Sequence, residues 1–226
     1  MQVNSPRFSL GSVTPAARRT LIGLALYAAS SASPVIADEY VPRPAPPPEV
    51  RLLPVPDTRQ STVYSCGAAA LQAVLMYYGQ EFIESDLMTR LGTDPENGTP
   101  PHAIVKVARE LGLNAELREG MTLEDLAREV RAGVPVIIDA QAWSDEPHPD
   151  WKNDWVDGHY MVVVGIDEQN VYFEDPSTLG SKGVIPRQEF LDRWHDVEAD
   201  GRKYWQSGIV IKAPAPAPPP DFIFVD

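Results

Sequence analysis

Helical segments in the first half of the chain and antiparallel strands in the second predict an α+β fold for these 226 residues. Three observations carry that expectation. Gln60 to Gly79 (QSTVYSCGAAALQAVLMYYG) is dominated by a run that follows Gly67, in which Gln72 is the one polar side chain. Rich in Ala and Leu and ending at Gly79, it reads as a helix buried on nearly every face. Val134–Ile138 (VPVII) and His159–Ile166 (HYMVVVGI) are β-branched runs that read as strands. His159–Ile166 is followed, after the turn-like Asp167-Glu168-Gln169-Asn170, by Val171–Glu174 (VYFE). That is a hairpin connection, too short for the crossover a parallel sheet needs.

The elements follow in order. Arg18 and Arg19 precede an apolar run, Leu21 to Ala32, and Val35-Ile36-Ala37 offers small residues to a signal peptidase. The run is too short to span a bilayer and no later stretch is long enough, so residues 1–37 read as a secretory signal, cleaved after Ala37. Arg18-Arg19-Thr20-Leu21 weakly resembles a twin-arginine signal, and the ordinary Sec route is the expectation. Residues 38–57 form a proline-rich linker, 58–212 the folded domain, and 213–226 a proline-rich tail that could add an edge strand. Within the domain, Ser85 caps a short helix through Leu91. Thr99 caps a helix opened by Pro100-Pro101, with Ile104, Val105, Val107, Ala108 and Leu111 on its apolar side and Gly112 at its end. Asn114–Leu117 is a short strand, and Thr122-Leu123-Glu124-Asp125 is a capping box before a helix to Arg131. Residues 187–195 read as helix and Ser207–Lys212 as the last strand. There are no internal repeats.

Composition narrows the function. The signal segment carries three Arg and no acid, so the mature chain keeps 16 of the 19 basic side chains and all 32 acidic ones, a formal charge of −16. That excludes nucleic acid and an anionic lipid surface as natural partners. About 190 mature residues suit one domain. Cys66 is the single cysteine. In an exported protein it is an intermolecular linker, a buried core thiol or a reactive group.

The third reading has the most support. Cys66 lies where a loop becomes a buried helix, and the free N–H groups there favour a thiolate. Of His102, His148, His159 and His195, His159 is best placed as a base, because it opens the most apolar strand behind Gly158. Asp175, at the end of the next strand, can orient the imidazole through Nδ1. Residues 159 and 175 share a face only if the loop is odd in length or the hairpin carries a bulge. Gln60 has an amide able to sit beside the Cys66 N–H and complete an oxyanion hole. His148, Asp150, Asp154 and Asp157 match no metal-ligand spacing and read as a solvated acidic loop, packed down by Trp143, Trp151 and Trp155. His102 and His195 fall on helices and have no catalytic role.

In this order the motifs resemble the C39 peptidase family of papain-like cysteine peptidases. The resemblance covers roughly residues 58–212: Gln60, five residues, then Cys66-Gly67-Ala68-Ala69-Ala70-Leu71; Gly98-Thr99-Pro100; Gly133-Val134-Pro135-Val136-Ile137; Gly158-His159-Tyr160-Met161-Val162-Val163-Val164-Gly165; and Asp175-Pro176-Ser177. It implies a papain-like fold, N-terminal helices packed on a C-terminal antiparallel sheet, with Cys66 as nucleophile, His159 as base and acid, Asp175 as orienter and Gln60 as oxyanion donor. It implies no metal or organic cofactor. The family is known for cleaving leader peptides after a double glycine, often within an ABC exporter. Here the signal segment and the lack of a membrane span look more like the stand-alone exported members, periplasmic or secreted, acting on a peptide or protein and associated with export or assembly machinery. Two rivals stand beside a peptidase: a catalytically silent peptide-binding protein, and an acyl transferase or amidase using the same triad.

Overall fold

The structure is a computed structural model and describes residues 50–214. The signal segment, most of the linker and the end of the tail lie outside the described residues.

Three helices come first: α1 (Cys66–Tyr77), α2 (Glu84–Leu91) and α3 (Pro101–Glu110). Strand β1 (Asn114–Arg118) and helix α4 (Leu123–Arg131) lead to β2 (Val136–Gln141), β3 (Gly158–Ile166), β4 (Asn170–Glu174) and β5 (Gly183–Pro186). Helix α5 (Arg187–Arg193), β6 (His195–Val197), β7 (Lys203–Trp205) and β8 (Gly208–Lys212) complete the chain. Six strands form one antiparallel sheet in the order β1-β8-β2-β3-β4-β5, and β6 pairs with β7 alone.

The α+β class holds, with one addition. Alternate residues of the central strands serve two cores. Ile137, Tyr160, Val162, Val164, Ile209 and Ile211 pack under α1, α2 and α3. Val136, Ile138, Met161, Val163, Phe173 and Val210 pack against Leu126 and Val130 of α4 and Phe190 of α5. Helices therefore cover both faces. This explains why HYMVVVGI is apolar throughout rather than alternating, since neither face of β3 meets water. Helix α1 is the centre of the first core: Ala68 to Leu71 and Ala73 to Leu75 are completely buried. Its one polar residue, Gln72, donates to the Phe82 carbonyl at 2.7 Å.

Several local expectations change. The α2 N-cap is Ile83, not Ser85, and that of α3 is Pro100, not Thr99, with no side-chain cap in either case. Thr99 is buried instead, its hydroxyl 2.8 Å from that of Thr93. The Thr122–Asp125 capping box forms as expected. His195 lies on β6 rather than on a helix, because α5 stops at Arg193. Residues 50–57, expected within the linker, lie on the domain: the Leu53 N–H donates to the Val164 carbonyl at 2.8 Å and Val55 is buried.

Candidate active site

Helix α1 begins directly at the cysteine. Ser65 is the N-cap but makes no side-chain cap. Its hydroxyl turns back into the preceding loop, donating to the Thr62 carbonyl at 3.2 Å and accepting the Thr62 N–H at 3.1 Å. The helix-start N–H groups, which lack intrahelical partners, are left unclaimed by a capping side chain. Cys66 is the first helical residue and is 8% exposed. The backbone N–H groups of Tyr160 and Gly67 point at its sulfur. Gly67 permits the close approach: a Cβ there would lie 2.7 Å from Thr99 Cβ and 3.1 Å from the Tyr160 ring.

His159 and Asp175 reach this helix end from the sheet. Val163 pairs with Phe173, but Gly165 pairs with Tyr172, so the β3–β4 ladder carries a bulge at Val164. The bulge meets the parity condition. It puts Asp175 opposite Met161 and so on the His159 side; an unbroken ladder would put the two on opposite faces. His159 Nε2 lies 2.7 Å from Asp175 Oδ1, and both residues are buried. The orienting carboxylate therefore uses Nε2, not the expected Nδ1, and Nδ1 is the ring nitrogen left for the sulfur. Asp175 Oδ1 also accepts the Ser177 N–H at 2.8 Å, and Oδ2 accepts the Trp143 indole N–H at 3.0 Å.

Gln60 is drawn in by the segment after β4. Its N–H donates to the Pro176 carbonyl at 3.0 Å, and its Oε1 accepts the Ser177 hydroxyl at 3.3 Å. That hydroxyl is 3.5 Å from His159 Nε2. Gln60 Nε2 donates to the Thr62 carbonyl at 2.8 Å and, as an amide nitrogen, has a second proton. Cys66, His159 and Asp175 thus form one series, and Gln60 joins it through Ser177.

Their electrostatics are mutually supporting. Burial pushes the Cys66 thiol up, but the His159 hydrogen bond and charge, with the two backbone N–H groups, bring it below its ordinary value. Burial pushes His159 down, but hydrogen bonds and charge from Asp175 and Cys66 raise it to about 9. Burial likewise opposes ionisation of Asp175, and its bonds to His159, Ser177 and Trp143 hold it below the usual carboxylate range. The pattern is that of a thiolate–imidazolium pair backed by a carboxylate. Behind it, Asp139 of β2 pairs across to Tyr160, and its Oδ1 is buried without a hydrogen-bond partner. Burial, the Asp196 carboxylate and the Cys66 charge all push Asp139 well above the ordinary carboxylate range.

The loop between β2 and β3 divides its tryptophans. Trp151 lies under the Arg193 guanidinium at 3.6 Å, and Trp155 packs on His195 and Trp205. Trp143 departs from the packing expectation: it is 60% exposed, and its N–H holds Asp175. Trp143 lies two residues beyond the end of β2, and no spacing in the sequence signalled this contact. Asp145, Glu146, Asp150, Asp154 and Asp157 line an open cavity of about 410 Å³. His102 is exposed on α3, and the His195 ring bonds the Asp154 carbonyl at 2.7 Å.

Comparison with known proteins bears on the family and the fold. The chain is 28% identical over 141 residues to the pediocin PA-1 transport/processing ATP-binding protein PedD of Pediococcus acidilactici, covering 62% of this chain and 17% of that protein. It is 33% identical over 119 residues to an uncharacterized protein of Methanothermobacter marburgensis, covering 53% of this chain and 70% of that one. Among solved structures, a protein described as a C39-like peptidase from Bacillus anthracis superposes with a TM-score of 0.56 at 19% identity, over 74% of this chain and 99% of that one. A double-glycine-motif protease from a transporter, in complex with its leader peptide, superposes at 0.51 with 23% identity, over 71% and 92%. These two show the fold. The family model described as Peptidase_C39 like matches residues 52–200, a span that holds Gln60, Cys66, His159 and Asp175 together, and the chain belongs to that family.

Proposed function

We propose that this chain is an exported cysteine peptidase that hydrolyses a peptide bond through Cys66, His159, Asp175 and Gln60. The observation that carries the reading is the buried Cys66–His159–Asp175 series at an uncapped helix start, with the thiol lowered and the imidazole raised to about 9. The Cys66 thiolate attacks the scissile carbonyl carbon. The oxyanion is held by the Cys66 N–H at the start of α1 and by the second Gln60 Nε2 proton. The His159 imidazolium then gives its proton to the leaving amine, the C–N bond breaks, and an acyl-enzyme remains. Neutral His159 takes a proton from water, which attacks the thioester and releases the acid, while Asp175 holds the ring through Nε2. No step needs a metal or organic cofactor.

A peptide substrate is supported by the neighbour solved with a leader peptide. Export is supported by the sequence of residues 18–37 alone, and no helix among the described residues is long and apolar enough to cross a membrane. In cell fractions the protein is expected in the periplasm or medium, starting at Asp38 by mass spectrometry. An intact N-terminus in the cytosol would contradict that location.

The test of activity is a diverse peptide library incubated with the full chain and with Cys66→Ala, read by mass spectrometry. Hydrolytic products that vanish in the variant are expected. Cleavage that persists in Cys66→Ala would refute the assignment, and products joined to an added amine instead of water would reassign the chain to acyl transfer.

A further inference from the structure

Asp175 is held on both oxygens, and the group on Oδ2 comes from the loop that follows β2, a segment that carries none of the four site residues. In the sheet, β2 and β4 flank β3. The C-terminal ends of β2 and β4 and the N-terminal end of β3, where His159 sits, lie at one sheet edge because all three strands are antiparallel. The β2–β3 pairing is prolonged past the strand ends: the Ala142 N–H donates to the Asp157 carbonyl at 2.9 Å, and the Asp157 N–H to Gln141 Oε1 at 2.9 Å. Trp143 is the first residue beyond this closed neck. Its backbone has φ 61°, a left-handed conformation that a bulky side chain adopts only when its surroundings impose it. That turn sends the indole from the end of β2, past the start of β3, to the end of β4. There the N–H reaches Asp175 Oδ2 at 3.0 Å. The indole is 60% exposed, whereas His159 and Asp175 are 6% and 2% exposed.

We infer that Trp143 is a positioning residue of the active site: its indole N–H fixes the Asp175 carboxylate so that Oδ1 faces His159. With the N–H in place, the carboxylate cannot turn about its last bond without losing a partner. An exposed tryptophan in a strained backbone is costly for packing alone, and this role accounts for it.

The inference rests on the proposed Cys66–His159 pair, and one experiment separates the two. The second-order rate of iodoacetamide labelling at Cys66 is measured against pH for the full chain, for Trp143→Phe, for Trp143→Ala, for Asp175→Ala and for Trp143→Phe/Asp175→Ala. The other ionisable groups that sense the Cys66 charge, Asp139 and Tyr160, are unchanged in every variant, as is Asp196 beside Asp139. Labelling of the unmodified chain well below the pH of a free thiol establishes the pair itself; its absence defeats the proposed function, and the inference with it. Given the pair, Trp143→Phe keeps a ring and loses the donor. The rise of its profile is expected to move up by about half to one pH unit, which is about threefold to tenfold slower labelling on the acid side. Trp143→Ala, which also lacks the donor, is expected to move at least as far. In the Asp175→Ala background, Trp143→Phe should add nothing, because its effect runs through that carboxylate. Profiles of Trp143→Phe and the unmodified chain that superpose, a shift to lower pH, or an undiminished effect without Asp175 would each overturn the inference. If Trp143→Ala does not fold, Trp143→Phe and the double variant still decide it.

Discussion

Burying a sulfur anion and an imidazolium is unfavourable for each alone, and the site makes each the other's remedy. His159 lowers the Cys66 thiol, Cys66 raises His159, and Asp175 holds the ring from behind. The sign of the pH dependence follows. Below the lowered Cys66 value the sulfur is protonated and cannot attack. Above about 9 the imidazole loses the proton owed to the leaving amine. Hydrolysis is therefore expected to follow a bell, full between these limits, with its alkaline limb near pH 9; a decline already centred near 6.5, the ordinary histidine value, would contradict the coupling. In the proposed mechanism, Gln60 separates oxyanion binding from thiolate chemistry. Gln60→Ala is expected to lower kcat about 10²- to 10³-fold on a cleaved peptide, the loss typical of an oxyanion donor. It should leave iodoacetamide labelling of Cys66 within about twofold, since alkylation forms no oxyanion. A parallel loss of both would make Gln60 a support for the cysteine loop instead. At this scale the four residues were legible, because each chemical role restricts residue type and the chain offers one cysteine and few histidines. The ring nitrogen facing Asp175 and the part played by Trp143 were not, since both depend on side-chain direction and on a left-handed turn that no spacing reveals.

Between elements, a close approach falls at Gly67, where the start of α1 meets Thr99 and the Tyr160 ring. The glycine is not there for a special φ; it is there because no Cβ fits. Gly67→Ala is expected to cost about 1–3 kcal/mol, the range for overpacking, and to lower the melting temperature. An unchanged melting temperature would show that Thr99 can move aside. The bulge at Val164 is the other device at this scale, since it alone brings Asp175 to the His159 side. Sequence could state the bulge as a condition but not choose it, because the ladder register is set by packing on both faces. The long elements were legible from composition: α1 from its apolar run and β3 from its branched residues. Strands β5, β6 and β7 span four, three and three residues, too few to show a period. The caps expected at Ser85 and Thr99 failed because Thr99 was claimed by the core and Ile83 begins α2 in an extended conformation.

Across the whole molecule, the sheet edge is tied to the helices by charge. Glu129 of α4 is 5% exposed and pairs with Arg118 of β1 at 2.6 Å and with Lys212 of β8 at 2.9 Å. Burial alone would raise its carboxyl, but these two partners hold it below the ordinary value. A carboxyl lowered in the folded state stabilises above its unfolded value, about 4.3, and that stability is lost as pH falls through the folded value. Glu129→Gln is expected to cost about 1–2 kcal/mol at pH 7, between an exposed and a fully buried pair because both cations keep water contact. In denaturant melts the difference from the unmodified chain should fade at acid pH; a constant difference would assign the effect to packing. The two-sided cover of the sheet was not part of the sequence expectation, although the unbroken apolar run of β3 is its trace, and which helices supply each side is a matter of chain path that emerged only in the structure.

The most direct measurement is the pH profile of iodoacetamide labelling at Cys66 in the full chain and in His159→Ala. A thiolate–imidazolium pair gives fast labelling well below pH 8 that collapses in His159→Ala. Slow labelling that rises only near the free-thiol value of about 8.5, with no response to the loss of His159, would contradict a catalytic cysteine and leave a domain that binds peptides without cutting them.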